Sequence, residues 1–239
     1  MKIMQINLWT GRIKYPLRKF IEEERVDILC GQEAAWEEGN QEQIENLFTT
    51  ADQIKSFGGF RDDFRTANMG MRLGSGTMLI GNVVMSRRGL LEKEEKLVHG
   101  EPNLEDGKMI DHAYFAQKVV TEDGIVIVNY HGYWKPEPIG DENTVAAMEK
   151  VAEMIRGEMR PVVMCGDLNV VYKSPAMRCL DFMRDLTEEN GIKTTLSGLG
   201  FQGEVACDHI LVNERVKVKD FRVIDELVTD HKAIVVEIE

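Results

Sequence analysis

Short apolar runs, each broken by a turn signal or a single polar residue, recur along the chain and predict alternating strands and helices. Lys2 to Leu8 reads as a first strand. Leu17, Phe20 and Ile21, with Pro16 near the start, carry the spacing of a helix over residues 17–24. Val26 to Cys30 reads as a short buried strand, and Ile44, Leu47 and Phe48 give residues 40–55 an amphipathic helical pattern. From Ser56 to Gly76 glycines and charges dominate and the periodicity fails, which predicts a loop. Strand character resumes over 77–86, then over 113–120 and 125–130, the last two flanking the hairpin signal Glu122-Asp123-Gly124. Val145, Met148, Val151, Ala152 and Ile155 predict a helix over 144–156, Pro161 to Cys165 a strand, and residues 175–189 another helix ending at Gly191. Strands over 208–212, 217–223 and 232–237 complete the chain.

Strands and helices interleave over all 239 residues with no repeat or linker, which predicts one α/β domain over residues 1–239. With 29 Lys+Arg against 41 Asp+Glu, the net charge of −12 argues against a protein that coats nucleic acid through a broad basic face. It leaves open an enzyme that meets a few phosphates in a local, metal-loaded cleft. No apolar run approaches the roughly 18–20 residues of a membrane span. The N-terminal residues lack the apolar core of a secretory signal. Cys30, Cys165, Cys179 and Cys207 are scattered without metal-ligand or disulfide-framework spacing, so buried reduced thiols and a cytoplasmic location are expected.

Chemically capable residues stand where the apolar runs end. Asn7 follows Ile3 to Ile6, Glu33 follows Ile28 to Gln32, and His131 follows Ile125 to Tyr130. Asp167 and Asn169 follow Val162 to Gly166, Asp208 opens one late strand, and Asp230-His231 precede the final one. Strand ends hold loops on a rigid sheet, where a site is readily assembled. Carboxylates such as Glu33, Asp167 and Asp230 suit Mg²⁺ or Mn²⁺ as hard oxygen ligands, and Asn7 or Asn169 can coordinate or orient water without adding charge. A histidine beside an aspartate, such as His231 with Asp208, can move a proton or face a negative phosphorus centre. The sulfur and histidine content is too dispersed for a zinc site.

In order along the chain, Gln-Ile-Asn7-Leu-Trp9, Gly-Gln-Glu33, Gly-Asn82-Val-Val-Met-Ser-Arg87, Asn-Tyr-His131-Gly, Gly-Asp167-Leu-Asn169, Asp208-His-Ile-Leu and Thr-Asp230-His231 resemble the successive motifs of the endonuclease/exonuclease/phosphatase superfamily, the fold of pancreatic-type deoxyribonuclease. The resemblance implies a four-layer α-β-β-α sandwich of two packed mixed sheets flanked by helices, with a metal-dependent site at one edge. It implies that Glu33 binds the metal with Asn7 beside it and Asp230 assisting, and that Asp167 and Asn169 orient or deprotonate water. It further implies an Asp208–His231 dyad facing the scissile phosphate, with His131 as a second phosphate-facing histidine. His209 stands where an aromatic is usual, and Trp9 where some nuclease branches carry an additional acid.

The expected function is a Mg²⁺- or Mn²⁺-dependent phosphoester hydrolase, first a phosphodiesterase or nuclease on DNA or RNA ends or short nucleic acids. The alternatives are hydrolysis of a small-molecule or lipid phosphoester, and a catalytically idle binding domain of the same fold. Trp9, Trp36 and Trp134 each follow a motif residue and are expected to rim the cleft and stack on a flat substrate group. Arg72, with Arg61 and Arg65 among the glycines of the predicted loop, is a candidate phosphate clamp, and Asn82 a further substrate contact. His99, His112 and His209 are assigned surface or structural roles. No obligate protein partner is evident.

Overall fold

The computed structural model describes every residue except 39–41, 74–75, 103, 105–111 and 201–202. In chain order the strands are β1 (Lys2–Asn7), β2 (Ile28–Glu38), β3 (Asp62–Leu73), β4 (Gly76–Ser86), β5 (Leu90–His99), β6 (Tyr114–Thr121), β7 (Val126–Tyr130), β8 (Val162–Asp167), β9 (Arg184–Asp185), β10 (Asp208–Val212), β11 (Val218–Ile224) and β12 (Ala233–Ile238). The helices are α1 (Lys14–Glu24), α2 (Glu42–Leu47), α3 (Ala51–Gly58), α4 (Glu142–Glu153) and α5 (Leu186–Glu189). The strands form two six-stranded mixed sheets, ordered β11-β12-β1-β2-β4-β3 and β5-β6-β7-β8-β10-β9. This is the α/β sandwich expected from the sequence.

Strand alternation builds the layers. Ile3, Ile28, Cys30 and Val84 of the first sheet pack against Val119, Ile127, Val163, Cys165 and Ile210 of the second, filling the space between them. On the opposite face of the first sheet, Met4, Ile6 and Leu29 meet Leu17, Phe20 and Ile21 of α1 and Ile54 of α3. Burying each such side chain contributes about 1.5–3 kcal/mol. The outer face of the second sheet carries α4, whose Ala147, Met148 and Val151 pack on Val126, Val128 and Met164. Asp141 caps α4, accepting the amide hydrogens of Asn143 and Thr144 at 3.0 and 3.1 Å.

A polar seam also crosses the apolar space between the sheets. Gln5 donates to Gln32 (2.9 Å), Gln32 to Asn129 (2.7 Å), Asn129 to Gln117 (3.0 Å), and Gln117 to Thr66 (3.0 Å). Backbone carbonyls fix the amide directions: Asn129 also donates to Gly31 and Val83, and Gln117 to Phe64 and Asn82. The seam ties both sheets in one lateral register.

β5 arises where the sequence predicts no element, and four further segments differ from the sequence expectation. The predicted loop over 56–76 is the end of α3 followed by β3, an edge strand whose charges form lateral ion pairs in place of an apolar face. The single helix expected over 40–55 is two, because Thr50 and Gln53 form a capping box that starts α3; Asn40, like Gly74 of the predicted loop, lies outside the described residues. Residues 175–189 are a 3₁₀ turn over Pro175–Leu180, then β9 and α5, the last started by the Asp185 cap. The strand expected over 26–30 continues through Glu33 to Glu38. Among the described residues no helix is long and apolar enough to cross a membrane. Cys30, Cys165 and Cys207 are buried free thiols, and Cys179 is a partly buried one.

Candidate active site

The inter-sheet layer changes from apolar to ionisable at one edge. On β8, Val163 and Cys165 point into it and Asp167 is the next inward position; on β10, Ile210 points inward and Asp208 precedes it. Antiparallel pairing sets Asp208 directly opposite Asp167. Parallel pairing of β1 with β2 sets Asn7 beside Gln32, one residue before Glu33. Glu33 itself lies in a β-bulge, since three steps on β2 from Gly31 to Ala34 match two on β4 from Val83 to Gly81. Its φ of +49° is rare for a residue with a side chain, as is +55° at Asn169. With Trp9, the backbone is strained at three of the predicted site residues, which is where function tolerates such cost.

Asp208 and His231 form the expected dyad, with His231 Nδ1 2.8 Å from Asp208 Oδ2. Thr195 Oγ1 also donates to Asp208 Oδ2, and Gln5 Nε2 donates to Oδ1 at 2.8 Å. Burial alone would raise the Asp208 carboxyl, but His231, Thr195 and Gln5 outweigh it and hold it below the usual range. For His231, burial opposes protonation, while the charges of Asp208 and Asp167 lift the imidazole well above its ordinary value. His231 Nε2 and His131 Nε2 each lie 3.7 Å from Asp167 Oδ2, so one carboxylate faces two imidazoles. Burial, with the Asp208 charge adding and His231 opposing, holds Asp167 above the usual carboxylate range. The Asn169 amide hydrogen goes to Asp167 Oδ1 (3.1 Å), and its side chain donates to the Gly132 carbonyl (3.0 Å), tying the residue to the turn after His131.

Glu33 and Asp230 make the second half of the cluster. Asn7 Nδ2 donates to Glu33 Oε1 and Asp167 Oδ2, both at 3.1 Å, while Asn7 Oδ1 accepts the Trp9 amide hydrogen at 3.0 Å. Asn7 therefore holds two carboxylates through its nitrogen. Burial and the nearby Glu33 and Asp167 charges push the Asp230 carboxyl up to about 6, against the opposing effect of His231. Asp230 Oδ1 is buried with no hydrogen-bond partner among the described residues. A buried, orphaned carboxylate oxygen facing further carboxylates fits a hard divalent cation, which satisfies the oxygen and offsets the crowded charge. The donor atoms of Asp167, Cys207, Asp208 and His231 also lie within 4.8 Å of one another. There, however, His231 Nδ1 and the Cys207 thiol are already bonded to Asp208.

The substrate-contact candidates divide. Trp134 is 49% exposed three residues after His131, and Trp9 is half-buried at a φ of +46° with the Arg12 guanidinium 4.9 Å from its ring. Trp36 is buried in the layer between the first sheet and its helices, because the bulge at Glu33 resets the alternation and turns it from the site. Asn82 is fully buried and donates to the Phe115 carbonyl at 2.8 Å, so it holds the sheets together and does not face a substrate. Arg65 is held by Asp52 and Asp63, which removes it from any phosphate clamp; Arg72 is exposed on β3. His209 is structural, buried against Asp185 and the Val170 carbonyl. Sequence reasoning missed Gln5, whose only signal is a polar residue inside an otherwise buried run, and Thr195, a buried residue in a partly exposed stretch that carries no such signal. It also missed Tyr114, whose ring lies edge-on 6.4 Å from His131 and whose phenol burial pushes up to about 12, the Glu33 and Asp167 charges adding.

Two six-stranded sheets meeting at an edge lined by carboxylates, an Asp–His dyad and a second histidine define a phosphoester-hydrolase type of site. The sequence profile of the Endonuclease/Exonuclease/phosphatase family matches residues 4–231, and the chain belongs to that family. Members of the family are hydrolases acting on phosphoesters and typically depend on a divalent metal. Similar solved structures include an endonuclease/exonuclease/phosphatase from Beutenbergia cavernae (16% identity, TM-score 0.73, covering 100% of this chain and 71% of that one). The mannosyl-6-phosphatase Bt3783 of Bacteroides thetaiotaomicron is also similar (16%, TM-score 0.72, covering 100% and 99%). So is the human Nocturnin catalytic domain with bound sulfate (14%, TM-score 0.66, covering 100% and 93%). At these identities the likeness carries the fold. No curated protein sequence matches significantly.

Proposed function

We propose that this chain is a Mg²⁺- or Mn²⁺-dependent phosphoesterase acting on short or terminal phosphoesters, first among them the phosphodiesters of nucleic-acid ends. The observation that carries the reading is the position of Asp167, 3.7 Å from the Nε2 atoms of both His131 and His231 while Asp208 grips the far side of His231. A base for water and two cation-capable donors thus converge on one point.

Glu33 and Asp230 are the residues that would hold the metal, with Asn7 fixing the Glu33 carboxylate. When bound, the metal supplies Lewis-acid polarisation of a phosphate oxygen. Asp167, kept basic by its raised affinity for a proton, accepts the proton of the attacking water, and Asn169 orients that water. His231, protonated at neutral pH because of Asp208, donates to a non-bridging phosphate oxygen as charge develops there, and His131 donates beside it. Trp134, exposed three residues after His131, would offer a face to the leaving portion of the substrate.

A second reading, hydrolysis of a sugar phosphate, is favoured by the net charge of −12 and by the near end-to-end likeness to a mannosyl-6-phosphatase. Initial rates with Mg²⁺ or Mn²⁺ on single-stranded oligonucleotides, bis-p-nitrophenyl phosphate and mannose 6-phosphate separate the two. Preference for the diesters supports the first reading, and preference for the monoester the second. No turnover of any of them with either metal overturns both and leaves a binding domain.

A further inference from the structure

A second carboxylate–imidazole pair lies directly behind the dyad. Asp208 and His209 are consecutive on β10, so their side chains leave opposite faces of the sheet. Asp208 points to His231. His209, 1% exposed, points the other way, with Nδ1 2.7 Å from Asp185 Oδ2 and Nε2 2.9 Å from the Val170 carbonyl oxygen. A carbonyl only accepts, so Nε2 carries a proton and donates it to Val170. Asp185 Oδ1 meanwhile accepts the amide hydrogens of Thr187 (2.9 Å) and Glu188 (3.4 Å), which anchors the pair to the start of α5.

Val170 directly follows Asn169, the residue held at φ +55°. The segment is gripped from two further sides: Leu168 N–H donates to Cys207 O and Val171 N–H to Pro138 O, both at 2.8 Å. Those two bonds belong to the backbone and flank Asn169; apart from the bonds that Asn169 makes with Asp167 and Gly132, the His209 bond is the one among those described for this turn that a side chain makes, and it can be exchanged without touching those residues. His209 holds the carbonyl of the peptide unit between Val170 and Val171, whose N–H is held by Pro138; this unit lies one beyond the one that adjoins Asn169, so the bond anchors the strained left-handed turn at its exit.

We infer that His209, oriented by Asp185, is a positioning residue for hydrolysis: it locks the turn that sets the Asn169 side chain and, through the Asn169 amide, the Asp167 carboxylate. This rests on the phosphoesterase reading only for its kinetic consequence. The pair touches no substrate, and its effect passes through Asn169.

The test compares His209→Leu, which loses both bonds, with His209→Gln, whose Nε2 can still reach the Val170 carbonyl. Expected for His209→Leu is a fall in kcat of about 10- to 100-fold with KM within about twofold, the scale of a displaced catalytic group. Expected for His209→Gln is a kcat within about threefold of the parent chain. In an Asn169→Ala background, His209→Leu should lower kcat by less than about twofold further, because both changes disable one element. Amide hydrogen exchange at Leu168 and Val171 should accelerate about tenfold or more in His209→Leu and return towards the parent rate in His209→Gln. A lowered Tm in His209→Leu with unchanged kcat and unchanged exchange at these amides overturns the inference. Equal kcat losses in the Leu and Gln variants, or additive losses with Asn169→Ala, overturn it as well. If the parent chain hydrolyses no phosphoester, the functional reading fails, while the exchange arm still decides whether His209 locks the turn.

Discussion

At the residue scale, upward pKa displacements of one acid and one base divide the labour of the site. Asp230 is pushed up to about 6, chiefly by burial and then by Glu33 and Asp167. The unfolded carboxyl ionises near 3.9, so folding loses stability as pH rises from about 4 to 6. Asp230→Asn removes that cost and should stabilise the metal-free protein at pH 7 by about 1–3 kcal/mol, seen as a raised Tm. On the proposed reading Mg²⁺ should raise the Tm of the parent chain, and the same change should abolish that rise. His231 is displaced upward by Asp208, against burial. Its ion pair stabilises the fold fully below about pH 6.5, and that contribution is lost as pH rises through the raised folded value. Asp208→Asn should therefore move the His231 titration to lower pH, as read from its assigned imidazole ¹⁵N shifts. An unmoved titration would place the cause of the shift elsewhere.

At the element scale, strands that bury both faces were legible from sequence, and of the edge strands only β11 was. β1, β7, β8, β10 and β12 are apolar runs because each is covered on both sides. β3 and β5 pair only on one side and carry charged residues such as Asp62, Arg65, Glu92 and Lys93, so their periodicity is diluted. The same cause hid the bulge at Glu33, since a polar Gly-Gln-Glu stretch reads as a strand end when it is a strand bending around a site. The motif acids and both motif histidines were legible because each stands beside a buried run. The partners that tune them, Gln5 and Thr195, were not, because only the fold brings them to Asp208. The seam between the sheets yields a further expectation. The Asn129 amide nitrogen, with two hydrogens, lies 3.0–3.1 Å from three acceptors, one hydrogen shared between two of them. Asn129→Leu should cost about 2–4 kcal/mol, from the lost bonds and the acceptors left unpaired, measured by urea denaturation with the secondary structure retained. A cost under about 0.5 kcal/mol would show that the seam is dispensable.

At the scale of the whole molecule, the net charge of −12 and the commitment of Arg65 to Asp52 and Asp63 leave electrostatic attraction local to the site. Binding of a 30-base-pair duplex at physiological salt should accordingly be undetectable at micromolar protein, measured by fluorescence anisotropy, whereas tight duplex binding would require a basic surface made some other way. The central claim is that the edge where the two sheets meet hydrolyses phosphoesters through the Asp208–His231 dyad with a divalent metal held by Glu33 and Asp230. Its most direct test is the initial rate on bis-p-nitrophenyl phosphate with Mg²⁺ or Mn²⁺, for the parent chain, for the parent chain in excess EDTA, and for His231→Ala. The account predicts turnover by the parent chain alone, with EDTA abolishing it and His231→Ala lowering kcat by about 10²–10³-fold. Full activity in EDTA, or full activity in His231→Ala, would contradict it.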